Sequence, residues 1–96
     1  MSKLSLLSAA DVQGALRDWL KLQRRTLKLS RAALAERSTV PAPTIKRFET
    51  TGQISLRQFL LLWQCVDDLQ RLQALTRPAE APLGRLPTSI DEVLAG

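Results

Sequence analysis

Apolar residues recur every three or four positions along three stretches of the chain, a spacing typical of helices that bury one face. The first stretch predicts a helix from Ser8 to about Leu27, since Ser8 and Asp11 have the spacing of an N-terminal capping box. Two further helices are predicted from the cap Ser55 to about Gln64 and from about Asp67 to Leu75. The apolar stripe of the first helix consists of Val12, Ala15, Leu16, Trp19 and Leu20.

Between these stretches, the segment LSRAALAERSTVPAPTIKRFETTG at 29–52 predicts two short helices joined by a tight turn. The Ser30 hydroxyl can cap a helix that runs to about Ser38. The next helix is expected to start at Pro41 and to end near Glu49. Pro43 does not argue against it, because both prolines fall in the first turn, where the N–H groups have no intrahelical partner to lose. The polar residues that should face outward are Arg31, Thr44, Lys46 and Arg47.

The helix predicted after Ser55 is apolar on nearly every side, which in a small domain requires a second surface to bury against. The simplest such surface is another copy of the chain. We therefore predict a two-fold interface formed by Leu62, Val66, Leu69 and Leu72. The alternative is that these residues only complete the core of the monomer.

The charge of the chain is unevenly distributed. Residues 1–57 contain 11 basic and 4 acidic groups, a net charge of +7, whereas residues 58–96 contain 3 and 5, a net charge of −2. Such an asymmetry suits a basic face that meets a polyanion, with the acidic half turned away. Taken alone, it could equally be the solvated surface of a basic protein.

The residues that are absent argue against catalysis. The chain has no His and no Tyr, and its single cysteine, Cys65, has no imidazole to activate it. Too few ligands are present for a zinc site, and there is no glycine-rich phosphate loop, so we expect no enzyme, no metal and no cofactor. Without a long apolar run or a secretory signal, we expect a cytoplasmic protein. Cys65 lies among apolar neighbours and is predicted to be a small buried residue, an exposed or interfacial thiol being the alternative.

Length and composition predict one all-α domain over residues 9–75, flanked by a flexible N-terminus at 1–8 and a proline-rich tail at 76–96. The tail holds three of the five prolines, which makes a packed continuation of the domain unfavourable. Ser89 and Glu92 nevertheless have capping-box spacing ahead of Val93 and Leu94, so a short helix or docking peptide is one interpretation. A terminal linker without a role is the other.

The stretch from about Leu16 to Leu75 resembles the Cro and cI-repressor type of helix-turn-helix family, also called the xenobiotic-response-element family. Two departures concern glycines, because many members have Gly where this chain has Lys28 and Thr39. A turn with positive φ costs a β-branched residue roughly 1 kcal/mol or more, so we expect the turn at Thr39 to differ in detail. A further departure is Arg31, where many members have Gln. The residues that carry the resemblance are Leu16, Leu20, Arg24, Leu29, Ser30, Leu34, Ala35, Glu36, Arg37, Val40, Thr44, Ile45, Arg47, Phe48, Glu49 and Gly52.

The resemblance implies a five-helix lambda-repressor-like domain that reads double-stranded DNA as a homodimer. It implies that Arg24 pairs with Glu49 to brace the reading helix. The residues expected to face the bases are Ala42, Pro43, Thr44 and Arg47, with Lys46 nearer the DNA backbone. The expected phosphate contacts are Arg31, Thr50, Thr51, Gln53 and Arg57. Since Ala42 and Pro43 have no side-chain donors, DNA shape should carry an unusual share of the affinity.

Three functions are compatible with this resemblance. The leading hypothesis is a homodimeric repressor that reads an inverted-repeat operator. The alternative is an antitoxin that also represses its own operon and binds a toxin protein through the tail at 76–96. A control protein of a phage or plasmid, acting on its own promoter, is the third.

Overall fold

A computed structural model describes residues 6–78, which fold into five α-helices and one short 3-10 helix without any strand. The all-helical prediction is thereby confirmed. The predictions for the tail, including those for Ser89, Glu92 and toxin binding, concern positions outside the described residues. The helices are α1 (Ala9–Thr26), α2 (Arg31–Ser38), α3 (Ala42–Thr51), α4 (Leu56–Val66) and α5 (Leu69–Gln73), and the 3-10 helix is Ala74–Thr76.

Serine caps start three of these helices, as the sequence predicts. Ser8 accepts a hydrogen bond from the Asp11 N–H and donates its own N–H to the Asp11 carboxylate, which completes the capping box. Ser30 accepts from the Ala33 N–H, and Ser55 caps α4 in the same way. Each cap satisfies a backbone donor that would otherwise lack an intrahelical partner.

Helix α3 begins one residue after its predicted start and ends two residues after its predicted end. Pro41 is the N-cap and Pro43 lies in the first turn. The helix stops at Gly52, which has a φ of 82° and whose N–H donates to the Phe48 carbonyl. A left-handed residue at this position is a common helix terminator, and glycine adopts it without steric cost.

A single core forms where α1 and α4 contact α3 and α2. Within it, Phe48 and Phe59 meet edge to face with their ring centroids 5.8 Å apart, a favourable aromatic geometry. The same core includes Leu62, whose side chain is fully buried. The prediction that Leu62 belongs to a dimer interface is therefore wrong, because the monomer already covers it. The buried apolar residues are Leu20, Leu29, Leu34, Val40, Ile45, Phe48, Phe59, Leu62 and Trp63.

Helix α5 is shorter than predicted and is held to the core largely by contacts with two tryptophan rings. It begins at Leu69 because Asp68 caps it by accepting from the Gln70 N–H, and its last turn tightens into the 3-10 helix. Trp19 stacks on Trp63 with centroids 4.5 Å apart, and the Arg71 guanidinium lies about 6 Å from both rings. Trp19 is thus a packing residue, as predicted.

Among the helices of residues 6–78, none has both the length and the apolar character needed to cross a membrane. Cys65 lies on α4, half-buried and packed against the core, and its Sγ is 3.4 Å from the Leu61 carbonyl oxygen. Burial raises the pKa of this thiol, against the opposing effect of the nearby Arg37 charge. The thiol is therefore a poor nucleophile, in keeping with a packing role.

Candidate functional site

Helix α3 has one buried face and one exposed face. Ile45, Phe48 and Glu49 point inward, and the opposite face carries two cationic side chains, Lys46 and Arg47, both exposed. Of the other residues predicted to face DNA bases, Pro43 is exposed, whereas Ala42 and Thr44 are half-buried. The outer face of α3 is therefore cationic in its middle, and its first turn is partly buried.

The inner face of α3 is fixed by a buried charge network. Arg24 on α1 donates two hydrogen bonds to the Glu49 carboxylate, at 2.7 Å from Nε and 3.0 Å from Nη2. Its third nitrogen, Nη1, donates to the Leu29 carbonyl at 2.8 Å, between α1 and α2. Because the bidentate fork is planar and directional, it sets the rotation of α3 relative to α1 as well as its position.

Arg31 joins the same network, which the sequence did not predict. Its Nε donates to Glu49 at 2.9 Å, so a residue expected only to contact phosphates also helps to hold α3. The side chain is still 37% exposed, so part of it faces solvent at the start of α2. Arg31 therefore connects the buried network to the surface.

Glu49 remains ionised in this setting because two opposing effects are unequal. Burial alone would raise its pKa, but the hydrogen bonds from Arg24 and Arg31, together with their charges, hold that pKa below the ordinary glutamate value. A carboxylate flanked by two guanidinium groups leaves the network with a net positive charge. The buried acid thus does not cancel the basic character of the α2 and α3 surface.

The loop after α3 is organised around that helix. The hydroxyls of Thr50 and Thr51 donate back to the carbonyls of Lys46 and Arg47, both at 2.8 Å. Gln53 accepts a hydrogen bond from Arg47 Nη2 at 2.9 Å, and its N–H donates to the Thr51 hydroxyl. Three of the predicted contact residues, Arg47, Thr51 and Gln53, are therefore linked to one another, and Thr50 is linked to Lys46, while the Arg47 side chain stays exposed.

Arg57 is separate from this group. It lies in the first turn of α4, where it borders a groove lined by leucines, and the described contacts do not join it to α3 or its loop. Its side chain is exposed, so it is available for a phosphate contact or for another anion.

The turn between α2 and α3 keeps a left-handed residue without a glycine. Thr39 has a φ of 66° and Lys28 has a φ of 59°, so both adopt the left-handed backbone that favours glycine. The expectation that the turn at Thr39 differs in detail from that of the resembling family stays a prediction. Ser38, buried in the turn, accepts a hydrogen bond from the Val40 N–H, which stabilises the strained geometry from within.

One supporting residue was missed in the sequence. Gln13 on α1 donates through Nε2 to the Gly52 carbonyl at 3.2 Å, and so ties the end of α3 to α1. The sequence around a polar residue on the exposed face of a predicted helix does not indicate such a distant hydrogen-bond partner. Within residues 6–78, no group of three or more His, Cys, Asp or Glu side chains is placed to hold a metal ion.

The charges of this region are strongly biased. From residue 28 to residue 57 there are six basic side chains and two acidic ones, and one of the two acids is the buried Glu49. The exposed basic members are Lys28, Arg37, Lys46, Arg47 and Arg57.

No family model matches the chain, and neither the curated proteins nor the solved structures include a significant match.

Proposed function

We propose that the protein is a sequence-specific DNA-binding transcriptional regulator, a homodimeric repressor that places α3 in the major groove of an inverted-repeat operator. The observation that carries this proposal is the division of α3 into two faces. Its inner face is fixed by the Arg24–Glu49–Arg31 network, and its outer face presents Lys46 and Arg47 to solvent. A rigid cationic helix on the surface of a small domain has the shape and charge that a major groove accepts.

Arg47 is the residue best suited to read a base. Its guanidinium can form two parallel hydrogen bonds with the O6 and N7 acceptors of guanine, which discriminates by about 1–3 kcal/mol against other bases. The hydrogen bond that Arg47 Nη2 donates to the Gln53 side-chain oxygen reduces the rotamer freedom that would otherwise be lost on binding. Pro43 can offer only apolar contact, for which the thymine methyl group is the natural partner.

Phosphate contacts would surround the reading helix. Lys46 lies beside Arg47 on α3, the exposed part of Arg31 lies at the start of α2, and Thr50 and Thr51 follow in the loop. Each neutralised phosphate adds about −0.9 to the slope of log K against log salt concentration. Four to six such charges in a dimer imply a loss of affinity of roughly a hundredfold or more when the salt concentration rises fourfold.

A selection of bound fragments from random DNA duplexes tests the proposal directly. A two-fold dimer sets its two reading helices about 34 Å apart, so the selected sites should be inverted repeats with half-sites centred about 10 base pairs apart. Recovery of sites without shared sequence or symmetry would contradict the proposal.

Replacing Arg47 by Ala provides the matching mutation. We expect operator affinity to fall by about 1–3 kcal/mol and the preference at one base pair of each half-site to disappear, with little change in melting temperature. Arg77→Ala is the matched control. This substitution removes the same charge from an exposed residue that follows α5. Helix α5 is not among the helices against which α3 packs, which are α1 and α2. Equal effects of the two substitutions on site preference would remove Arg47 from the reading role.

A further inference from the structure

An apolar groove runs along α4 and reaches the start of α5. Leu56, Leu60, Leu61 and Leu69 line it, and it encloses a volume of about 360 Å³. Leu56 is 72% exposed and Leu69 is 38% exposed, so two of the four leucines are open to water. Leu60 and Leu61 are half-buried against the core, so the groove combines half-buried and exposed leucines, and an exposed apolar surface of this kind commonly marks a docking site.

We propose that the C-terminal segment of the same chain, residues 89–96, docks in this groove as a short helix. Its sequence, SIDEVLAG, places Ile90, Val93 and Leu94 at positions i, i+3 and i+4, which share one face of a helix. Ser89 and Glu92 have the capping-box spacing that starts such a helix. An amphipathic helix that lays its apolar face into a hydrophobic groove is a common mode of recognition.

The charges of the segment and the groove are complementary. Asp91 and Glu92 lie in the first turn of the proposed helix, beside its apolar face, where acidic residues also interact favourably with the helix dipole. Arg57 borders the groove, and its side chain is exposed. The segment can therefore bury its three apolar side chains while one of its carboxylates faces the Arg57 guanidinium.

The chain between α5 and the segment 89–96 is long enough for that segment to reach the groove. Leu69 and Thr76 are separated by one short α-helix and one 3-10 turn, about 12 Å at the rise of those structures. The 12 residues between Thr76 and Ser89 can span about 40 Å when extended, which is ample for a return to the groove.

Attachment to the same chain also favours this occupant over a second copy of the protein. A tethered segment has an effective concentration in the millimolar range, so it outcompetes a second copy of the chain that is present at a lower concentration. A helix of about seven residues is not stable alone in water, so its folding would be coupled to docking. The inference does not depend on DNA binding.

A nitroxide label near the end of the full chain tests the docking. The variant combines Cys65→Ser, which can keep the hydrogen bond to the Leu61 carbonyl, with Ala95→Cys for attachment of the label. We expect strong paramagnetic broadening of the backbone amide signals of Leu56, Leu60, Leu61 and Leu69. No broadening of these signals would overturn the proposal.

Two further measurements make the result specific. Adding Leu94→Asp to the labelled chain should abolish the broadening without affecting the fold, whereas Leu86→Asp, in the connecting segment, should preserve it. A mixture of ¹⁵N chains that carry no nitroxide with ¹⁴N chains that carry it distinguishes docking within one chain from docking on a second copy. Broadening of the unlabelled chains would show that the segment docks on a second copy and would overturn docking within one chain.

Discussion

Glu49 shows how a single buried charge can position a functional helix. Its side chain is inaccessible to solvent, yet two arginines from α1 and α2 supply three hydrogen bonds, which compensate the loss of water. Pairs of this kind contribute modestly to net stability, but removal of one partner is costly because the other charges stay buried. The network therefore stabilises one orientation of α3 more than it stabilises the fold as a whole.

Replacing Glu49 by Gln should lower the free energy of unfolding by about 3 kcal/mol, since Arg24 would lose its buried counter-charge. Denaturant unfolding monitored by circular dichroism measures this change. Asp18→Asn is the control, because the Arg17–Asp18 pair lies at the surface and its loss should matter far less. An unaltered unfolding curve for the Glu49 variant would contradict the bracing role.

The same residue predicts a pH dependence. Because the pKa of Glu49 is lower in the folded chain than its ordinary value of 4.5, its ionised form stabilises the fold above that pH. This contribution should be lost progressively as the pH falls below about 4.5 and through the folded-state pKa. Unfolding measured from pH 7 to pH 3 should show a steeper loss in the native chain than in Glu49→Gln. Parallel pH profiles would assign the acid sensitivity to other groups.

Thr39 is a residue in a conformation that its side chain disfavours. A left-handed backbone costs a residue with a Cβ about 1–2 kcal/mol, and β-branching adds to the crowding. Thr39→Gly should therefore increase the free energy of unfolding by about 1 kcal/mol, once the greater entropy of glycine in the unfolded chain is subtracted. Thr39→Ala keeps the Cβ and should give no comparable gain. A destabilised glycine variant would mean that the threonine hydroxyl makes a compensating contribution.

At the scale of the element, α5 depends on side-chain contacts more than on its own propensity. It has only five residues, too few for a stable isolated helix. Two contacts hold it to the aromatic rings: the hydrogen bond from Trp63 Nε1 to the Asp68 carbonyl at 3.0 Å, and the Arg71 guanidinium near the rings of Trp19 and Trp63. Arg71 also pairs with Asp67, one turn earlier. The element is thus secured mainly at its first turn.

Replacing Arg71 by Ala should loosen α5 while the rest of the fold persists. We expect the amides of α5 to exchange with solvent about twofold to fivefold faster, from a loss of roughly 0.5–1 kcal/mol of cation–π contact at this exposed site. Hydrogen exchange followed by NMR resolves this change by residue. Gln70→Ala alters an exposed neighbour on the same helix and serves as the control. Equal protection in both variants would show that Arg71 does not hold the helix.

At the scale of the whole molecule, the question is which apolar surface remains after the core is complete. Leu62 is used by the monomer, and Val66 and Leu72 are half-buried against it. Leu69 and Leu75 stay exposed on α5 and after it. Of the four residues predicted to form the two-fold contact, only Leu69 is exposed, and it also lines the groove along α4.

The proposed dimer predicts that Leu69→Asp yields monomers, since a carboxylate in an apolar contact would be buried without a partner. Sedimentation velocity over a range of protein concentrations measures the change. Leu22→Asp is a fair control, because Leu22 is an exposed leucine on α1. Persistence of the dimer in the Leu69 variant would place the interface elsewhere.

The features that depend on near neighbours can be predicted from the sequence alone. Ser8, Ser30 and Ser55 were recognisable as helix starts because a cap needs only a side-chain oxygen and the N–H groups two or three residues later. The prolines at the start of α3 followed from the same local rule. The number of helices and the basic bias of the first 57 residues were also readable in advance, because periodicity and charge do not depend on the fold.

How these helices use their side chains depends instead on how they pack against one another. Leu62 entered the core instead of an interface because α4 is apolar on most sides, and the sequence does not say which side meets α2. Arg31 turned toward Glu49 because packing brought an acid 18 residues away within 2.9 Å of it. Thr39 kept a left-handed backbone because burial of α2 and α3 against the same core outweighs a local cost of about 1–2 kcal/mol. Contacts between distant residues are set by the balance of the whole core, which no local pattern records.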